Sequence, residues 1–213
     1  MINILVVDDH ALIRKGLKQL LEDSPDLKIT GEAASGIQAT SMLRAQHFDL
    51  MLLDINLPDK HGIELLKQFK TEQPELKTIV LSMYPEDQYG VRALKAGAMG
   101  YINKQSASDV LIKAIRQVIS GKKYISETMA EQLLNSLIGD SQELMHQKLS
   151  NREYQTLCLM ASGKSLSDIS QIMTLSPKTV SVYRSRMLAK MGFTNNAEAI
   201  HYAITHHLVE HQD

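Results

Sequence analysis

The hydrophobic and polar positions along this chain change texture midway. Over the first half, short unbroken apolar runs alternate with stretches whose apolar residues recur every three or four positions. Ile4-Leu5-Val6-Val7, Leu50-Met51-Leu52-Leu53 and Thr78-Ile79-Val80-Leu81 are runs of the kind buried on both faces of a parallel sheet. Shorter strands are expected over 29–34 and 100–103. Helical spacing predicts helices over 11–23, 37–45, 63–70 and 88–96, and a fifth from a Ser106-Ala107-Ser108-Asp109 capping box to about 120. The first presents Leu12, Ile13, Leu17, Leu20 and Leu21 as its apolar face. Five strand–helix units in series predict an α/β fold: a doubly wound, five-stranded parallel sheet over 1–120.

The second half reads differently. Residues 121–147 form a connector with one helix over 126–137, carrying Met129, Leu133, Leu134 and Leu137 on one face. Gly139-Asp140-Ser141 breaks that pattern, and the connector is expected to be partly mobile. Residues 148–213 then predict a small all-α domain. A Ser150-Asn151-Arg152-Glu153 capping box opens a helix that runs to 162, with Gly163 after it. A second helix covers 166–173, and Thr174-Leu175 makes a tight turn. Ser176-Pro177 caps a third helix that runs to about 191, and a fourth covers 197–208. Two helices joined by so short a turn are a helix-turn-helix pattern.

The strand ends carry the chemistry. Asp8, Asp9, Asp54, Ser82 and Lys104 all fall at or just past a predicted strand. In open parallel sheets, ligands bind beyond the carboxyl ends of the strands, so these residues are expected at one edge. Three carboxylates in one crevice repel one another and call for a cation. A hard divalent ion with oxygen ligands, Mg²⁺ above all, suits Asp8, Asp9 and Asp54. Such an ion together with Lys104 would neutralise the charge on a moving phosphoryl group. One carboxylate would serve as the nucleophile and hold an acyl phosphate, with Ser82 hydrogen-bonded to a phosphoryl oxygen.

Charge separates the halves further. The chain's net charge is −1. Yet between Lys148 and Gly192 seven basic residues face only Glu153 and Asp168, a local excess of five positive charges. That is the footprint of nucleic-acid binding. The single cysteine, Cys158, excludes an intramolecular disulfide framework and reads as a small core residue. There is no secretory pattern and no apolar run long enough to span a bilayer, so a cytoplasmic protein without membrane contact is expected. The 11 methionines read as core filler, and His207 and His211 read as a solvated helix end rather than metal ligands.

Residues 1–120, through LVVDDH, LLDINLP, VLS and GYINK, resemble the receiver domain of bacterial two-component response regulators. The resemblance implies that Asp54 is the phospho-acceptor. It implies that Asp8 and Asp9 bind Mg²⁺ with Asp54 and the backbone carbonyl of Asn56. It also implies that Ser82 and Tyr101 are a switch pair, that Lys104 pairs with the phosphoryl group, and that a sensor histidine kinase is the donor. Gln105 departs from the proline or acidic residue that many relatives carry. In the second half, LSNRE and LSPKTVSVYRSRMLAKMG resemble the LuxR-type helix-turn-helix domain. Together the halves resemble the NarL/FixJ family and, through Tyr183 where many relatives have histidine, its GacA/UvrY branch.

This implies binding to double-stranded promoter DNA. Lys178, Thr179, Arg184, Arg186 and Lys190 are expected at phosphates. Ser181, Val182 and Ser185 match the family's base readers, with serines standing where relatives often place lysine. Val180 and Met187 are expected in the core. A homodimer is expected on phosphorylation or on DNA, with Ala199, Tyr202 and Ala203 as an exposed dimer face on the last helix. No enzymatic activity is expected beyond the chain's own phosphoryl transfer and dephosphorylation. A magnesium-dependent aspartyl-phosphate phosphatase would need an acid two residues after its nucleophile, and Asn56 stands there. A constitutive DNA-binding protein with a degenerate receiver would not need the complete acidic set.

Overall fold

In the computed structural model, residues 1–138, 144–206 and 208–209 are described. They belong to two compact units, Met1–Leu137 and Ile138–Asp213.

In the first unit, β1 (Ile2–Val7), β2 (Leu27–Ala33), β3 (Leu50–Asp54), β4 (Lys77–Ser82) and β5 (Gly100–Asn103) form one sheet. The order is β2-β1-β3-β4-β5, with every neighbouring pair parallel. β3 is central and buried along its length, which is why its sequence is apolar without alternation. β2 lies at the edge and mixes buried with exposed positions, as a half-covered strand does. Register pairs Val7 with Leu53 and Asp54 with Leu81, so the central strands finish nearly level.

Five helices follow the strands: α1 (Ala11–Leu21), α2 (Gly36–Ala45), α3 (Gly62–Glu72), α4 (Glu86–Lys95) and α5 (Ala107–Ile119). Ile4, Val6, Leu50, Leu52, Ile79 and Leu81 face Leu17 and Leu21 of α1 and Leu111, Ile115 and Val118 of α5 in one core cluster. Each such side chain contributes roughly 1.5–3 kcal/mol on burial. Two expectations change here. Leu12 is 80% exposed, whereas Leu17 and Leu21 are buried and Ile13 and Leu20 pack partly buried against the core. The Ser106 cap does not form. A 3-10 turn, Lys104–Ser106, intervenes after β5, and the Ser106 hydroxyl donates to the Asn103 carbonyl at 3.2 Å.

The connector helix α6 (Glu127–Ile138) belongs to this unit over its described contacts. The Tyr124 amide donates to the Met99 carbonyl at 2.8 Å, and Tyr124 bridges to Gly100 of β5. The Ser126 hydroxyl donates to Glu86 Oε1 at 2.6 Å and accepts from the Met129 amide at 3.1 Å, so it caps α6 and ties it to α4. Met129 is fully buried and seats where a side chain on Gly90 would stand: a Cβ there would lie 2.5 Å from its methyl. The connector expected to be mobile is therefore fixed from Tyr124 to Met129. Leu134 is exposed rather than part of an apolar face. The side chains of Asp109 and Leu137, and His207 and His211, lie outside the described residues.

The second unit holds a 3-10 turn, Met145–Lys148, then α7 (Asn151–Ala161), α8 (Leu166–Ile172), α9 (Pro177–Met191) and α10 (Asn196–Thr205). α7 contacts each of the other three helices. Ser150 and Glu153 form the expected capping box, and Ser165 with Asp168 forms a second one. Ser176 caps α9, with Pro177 behind it. Gly192 ends α9 at φ 69°, a conformation glycine adopts without strain. Val180 and Met187 are buried as expected, whereas Ala199, Tyr202 and Ala203 are buried and not an exposed face. The Tyr202 hydroxyl meets His146 Nδ1 at 3.0 Å, and the exposed side of α10 carries Ala197, Glu198, His201 and Thr205 instead. Among the described residues, no helix is long and apolar enough to cross a membrane.

Truncating the Met129 side chain would empty the seat above Gly90. Met129→Ala is expected to destabilise the first unit by roughly 2–4 kcal/mol. Chemical denaturation followed through that unit's unfolding transition checks this.

Candidate functional site

Each strand of the sheet's centre ends in a polar residue for a geometric reason. The apolar run stops where the flanking helices stop covering it. Asp54 is the last residue of β3, Ser82 the last of β4, and Asp8 and Lys104 directly follow β1 and β5. The parallel register brings all four to one edge. Lys104 Nζ sits 2.7 Å from Asp54 Oδ2 and 2.7 Å from Asp8 Oδ2, with its side chain only 5% exposed. Asp54 Oδ1 accepts the Asn56 amide at 3.1 Å, and Asp8 Oδ1 accepts the His10 amide at 2.9 Å.

Burial pushes the Asp54 carboxyl above its ordinary value. Lys104 pulls it back down, and the neighbouring Asp8 charge pushes it up again. Burial alone would weaken the Lys104 ammonium, but Asp54 and Asp8 outweigh it and hold its pKa above the usual lysine value. Lys104 therefore stays charged. Asp8, Asp9 and Asp54 against one ammonium leave two negative charges uncompensated, the charge of one divalent ion. Ligand atoms of Asp8, Asp9, His10 and Asp54 all lie within 4.8 Å of one another. The cluster could hold a metal.

Several supporting residues carried no motif. Arg14, one turn into α1, donates to the Asp8 carbonyl at 2.7 Å and pairs with Glu32 of β2 at 3.2 Å. Asp59 accepts the Gly36 and Ile37 amides at 2.9 and 2.8 Å, fastening the loop after Asp54 to the start of α2. Burial raises the Asp59 carboxyl, but those amides outweigh it and hold it below the usual range. Gly62 passes so close beneath β3 that any Cβ would collide with the Asp54 carbonyl. Tyr84 joins the expected switch pair. Its amide donates to Ser82 Oγ at 3.0 Å, and its carbonyl accepts the Tyr101 hydroxyl at 2.9 Å. The Tyr101 phenol also hydrogen-bonds Ser82. Burial drives its pKa upward, so it remains a donor. Tyr101 is buried, turned inward.

The residues expected at DNA divide. Lys178, Thr179, Val182 and Arg186 line one groove of about 280 Å³ on α9, joined there by Tyr183, which sequence reasoning had not assigned to DNA. The Ser185 hydroxyl donates to the Ser181 carbonyl at 3.0 Å, and Thr179 Oγ1 lies 2.8 Å from the capping Ser176 hydroxyl. Two of the expected cations are engaged within the unit. Arg184 Nε donates to Asn196 Oδ1 at 2.9 Å, at the start of α10. Lys190 pairs with the buried Glu153 carboxylate at 2.6 Å, and this pairing holds the Glu153 pKa down against its own burial.

Comparison with known proteins matches both halves. Residues 4–116 match the response regulator receiver domain, and residues 147–203 match the luxR family of bacterial regulatory proteins. Response regulator UvrY of Escherichia coli K12 is 36% identical over 209 residues, covering 98% of this chain and 96% of that protein. Response regulator GacA of Pseudomonas aeruginosa is 35% identical over 211 residues, covering 99% of each. RcsB from Salmonella enterica serovar Typhimurium, solved bound to promoter P1flhDC with the phosphomimetic BeF3⁻, superposes with a TM-score of 0.64 at 25% identity. That match covers 96% of this chain and 98% of RcsB. A receiver with its strand-end acids and lysine, followed by a luxR-family domain, defines the class. The chain belongs to the two-component response regulators of the NarL/FixJ type, in the branch of UvrY and GacA.

The raised Asp54 pKa has a consequence for stability. The folded chain binds that proton more tightly than the unfolded chain does. Stability from the neutral carboxyl is complete below the unfolded value of 3.8 and is lost as pH rises through the folded value. In chelator at neutral pH, Asp54→Asn is therefore expected to be more stable than wild type. The gap should close as pH falls toward 3.8. Thermal unfolding of both proteins across that range checks it. A more stable wild type at neutral pH would mean that Lys104 outweighs burial.

Proposed function

We propose that this chain is a phosphorylation-controlled transcription regulator. Asp54 takes a phosphoryl group from a phosphohistidine of a sensor kinase, and the helix-turn-helix unit binds double-stranded promoter DNA. The observation that carries this reading is the Lys104 ammonium held between Asp8 and Asp54, 2.7 Å from each.

The donor set fits Mg²⁺: three carboxylates with two uncompensated charges, and the Asn56 carbonyl as a further oxygen. When bound there, Mg²⁺ supplies a fixed dication that neutralises the oxygens of the phosphoryl group in transit. The chain's own residues do the rest. An Asp54 oxygen attacks phosphorus as the nitrogen–phosphorus bond of the donor breaks, and the electron pair leaves with the imidazole. The Asn56 amide holds the other Asp54 oxygen and orients the attack. Lys104 exchanges its contact with Asp54 for one with a phosphoryl oxygen and keeps Asp8 as its second partner. Ser82 reaches the phosphoryl group by releasing the Tyr84 amide and the Tyr101 phenol. Phosphorylation thereby shifts an existing equilibrium of the β4–α4 segment.

At the other unit, Lys178 and Arg186 flank Val182 and Tyr183 in the α9 groove, which suits a helix laid into the major groove between phosphates. A homodimer would place two such helices on paired half-sites about one helical turn apart. The solved RcsB complexes with DNA, at 25% identity and a TM-score of 0.59 in one case, support this direction.

Incubation with acetyl phosphate and Mg²⁺ is expected to add one phosphoryl group to wild type and none to Asp54→Asn, read by intact mass. A gain that persists in Asp54→Asn would move the acceptor elsewhere. On a random-sequence duplex, Lys178→Ala and Arg186→Ala are each expected to weaken binding and reduce the salt slope by roughly 1. Arg184→Ala is expected to lower thermal stability while leaving that slope unchanged, since its guanidinium serves α10.

A further inference from the structure

His10 has no part in the phosphoryl transfer derived above, yet its ring stands inside the acidic cluster. It occupies the cap position of α1, where Ser, Thr, Asp or Asn would normally accept a backbone amide. Its side chain makes no such bond. The ring turns instead toward the carboxylates: Nδ1 lies 2.7 Å from Asp9 Oδ1 and 3.3 Å from Asp8 Oδ1. Neighbouring ligands around an octahedral divalent ion with bonds of roughly 2.1 Å are separated by about 3 Å. The two observed separations bracket that edge. The His10 backbone is itself fixed by the same site, through its amide to Asp8 Oδ1 at 2.9 Å. The ring thus has a defined seat beside the carboxylates although it is largely exposed.

We infer that His10 Nδ1 is a metal ligand of this cluster, giving the receiver a second class of ion, the nitrogen-preferring divalent cations such as Zn²⁺, beside Mg²⁺. The inference rests on the reading of the cluster as a metal site under the proposed function. A site of oxygen donors alone favours Mg²⁺, whereas an added imidazole favours Zn²⁺, Ni²⁺ and Cu²⁺. Mg²⁺ makes no use of the nitrogen, so the ring adds affinity for one class and little for the other. The two classes compete for Asp8, Asp9 and Asp54. An ion held through His10 would therefore occupy the place that phosphoryl transfer needs for Mg²⁺. A plain ion pair between a protonated ring and Asp9 would instead give no change in ion preference.

The test uses the full chain without a histidine tag, labelled with ¹⁵N at histidine and titrated separately with Zn²⁺ and with Mg²⁺. His10 is exposed, so His10→Ala leaves the fold intact, and thermal unfolding in chelator verifies this. The expected result is that His10→Ala weakens Zn²⁺ binding about tenfold or more. Mg²⁺ binding should change by less than about twofold, since the hard ion keeps its oxygen ligands. The His10 Nδ1 resonance should move with Zn²⁺ and stay in place with Mg²⁺. Equal Zn²⁺ affinity in wild type and His10→Ala, or a Zn²⁺-induced shift confined to other histidines, overturns the inference while leaving the magnesium site standing. Failure of wild type to bind either ion overturns both.

Discussion

A lysine shared between two buried carboxylates organises the receiver unit. Lys104 Nζ is 2.7 Å from Asp8 and from Asp54; Asp54 ends β3, while Asp8 and Lys104 directly follow β1 and β5. An ammonium so little exposed is stable only with opposite charge around it, and the carboxylates repel each other without it. That mutual dependence ties the ends of three strands together. The pair of carboxylates is already one positive charge short, and Asp9 adds to the deficit. Asp8, Asp9 and Asp54 against the one Lys104 ammonium leave two negative charges unbalanced. That imbalance is what suits the cluster to a divalent metal.

Much of this was legible in the sequence because sheet burial and strand-end polarity act through local pattern. Unbroken apolar runs ending at Asp8, Asp54 and Ser82 marked both the strands and the edge where they finish. Val180 and Met187 were legible for the same reason, since helical spacing separates core from surface. What could not be read depends on contacts distant in sequence. Leu12 has the right spacing for the core, but the sheet and α5 cover only the part of that face around Leu17 and Leu21. Ala199, Tyr202 and Ala203 look like a surface stripe, and only the packing of α10 makes them interior. The docking of α6 rests on Gly90, whose missing side chain is a signal only once Met129 is known to stand above it. Tyr84 acts through its backbone, which no side-chain motif records. The second capping box, Ser165 with Asp168, was available to pattern reading: a serine three residues before an acid is its signature.

The path from the site to α6 is continuous and made of ordinary contacts. Ser82 accepts the Tyr84 amide, and the Tyr84 carbonyl accepts the Tyr101 hydroxyl. Two residues on, α4 begins at Glu86, whose carboxylate accepts the Ser126 hydroxyl at 2.6 Å. One turn further, Gly90 seats Met129. A packed interface of this kind has few intermediate positions, because close-packed side chains resist gradual deformation.

Charge on the recognition helix is divided between two tasks that sequence alone presents as one. Seven basic residues over 148–192 suggested a single electrostatic footprint. Lys190 instead neutralises Glu153, the acid of the α7 capping box, and Arg184 holds the start of α10. Both fix α9 within its unit. The groove is left with Lys178 and Arg186 on either side of Val182 and Tyr183. Two cations around an apolar centre give limited affinity by counterion release alone, since that term scales with the number of phosphates neutralised. The Ser185 hydroxyl is bonded to its own helix, which leaves it little to offer a base edge.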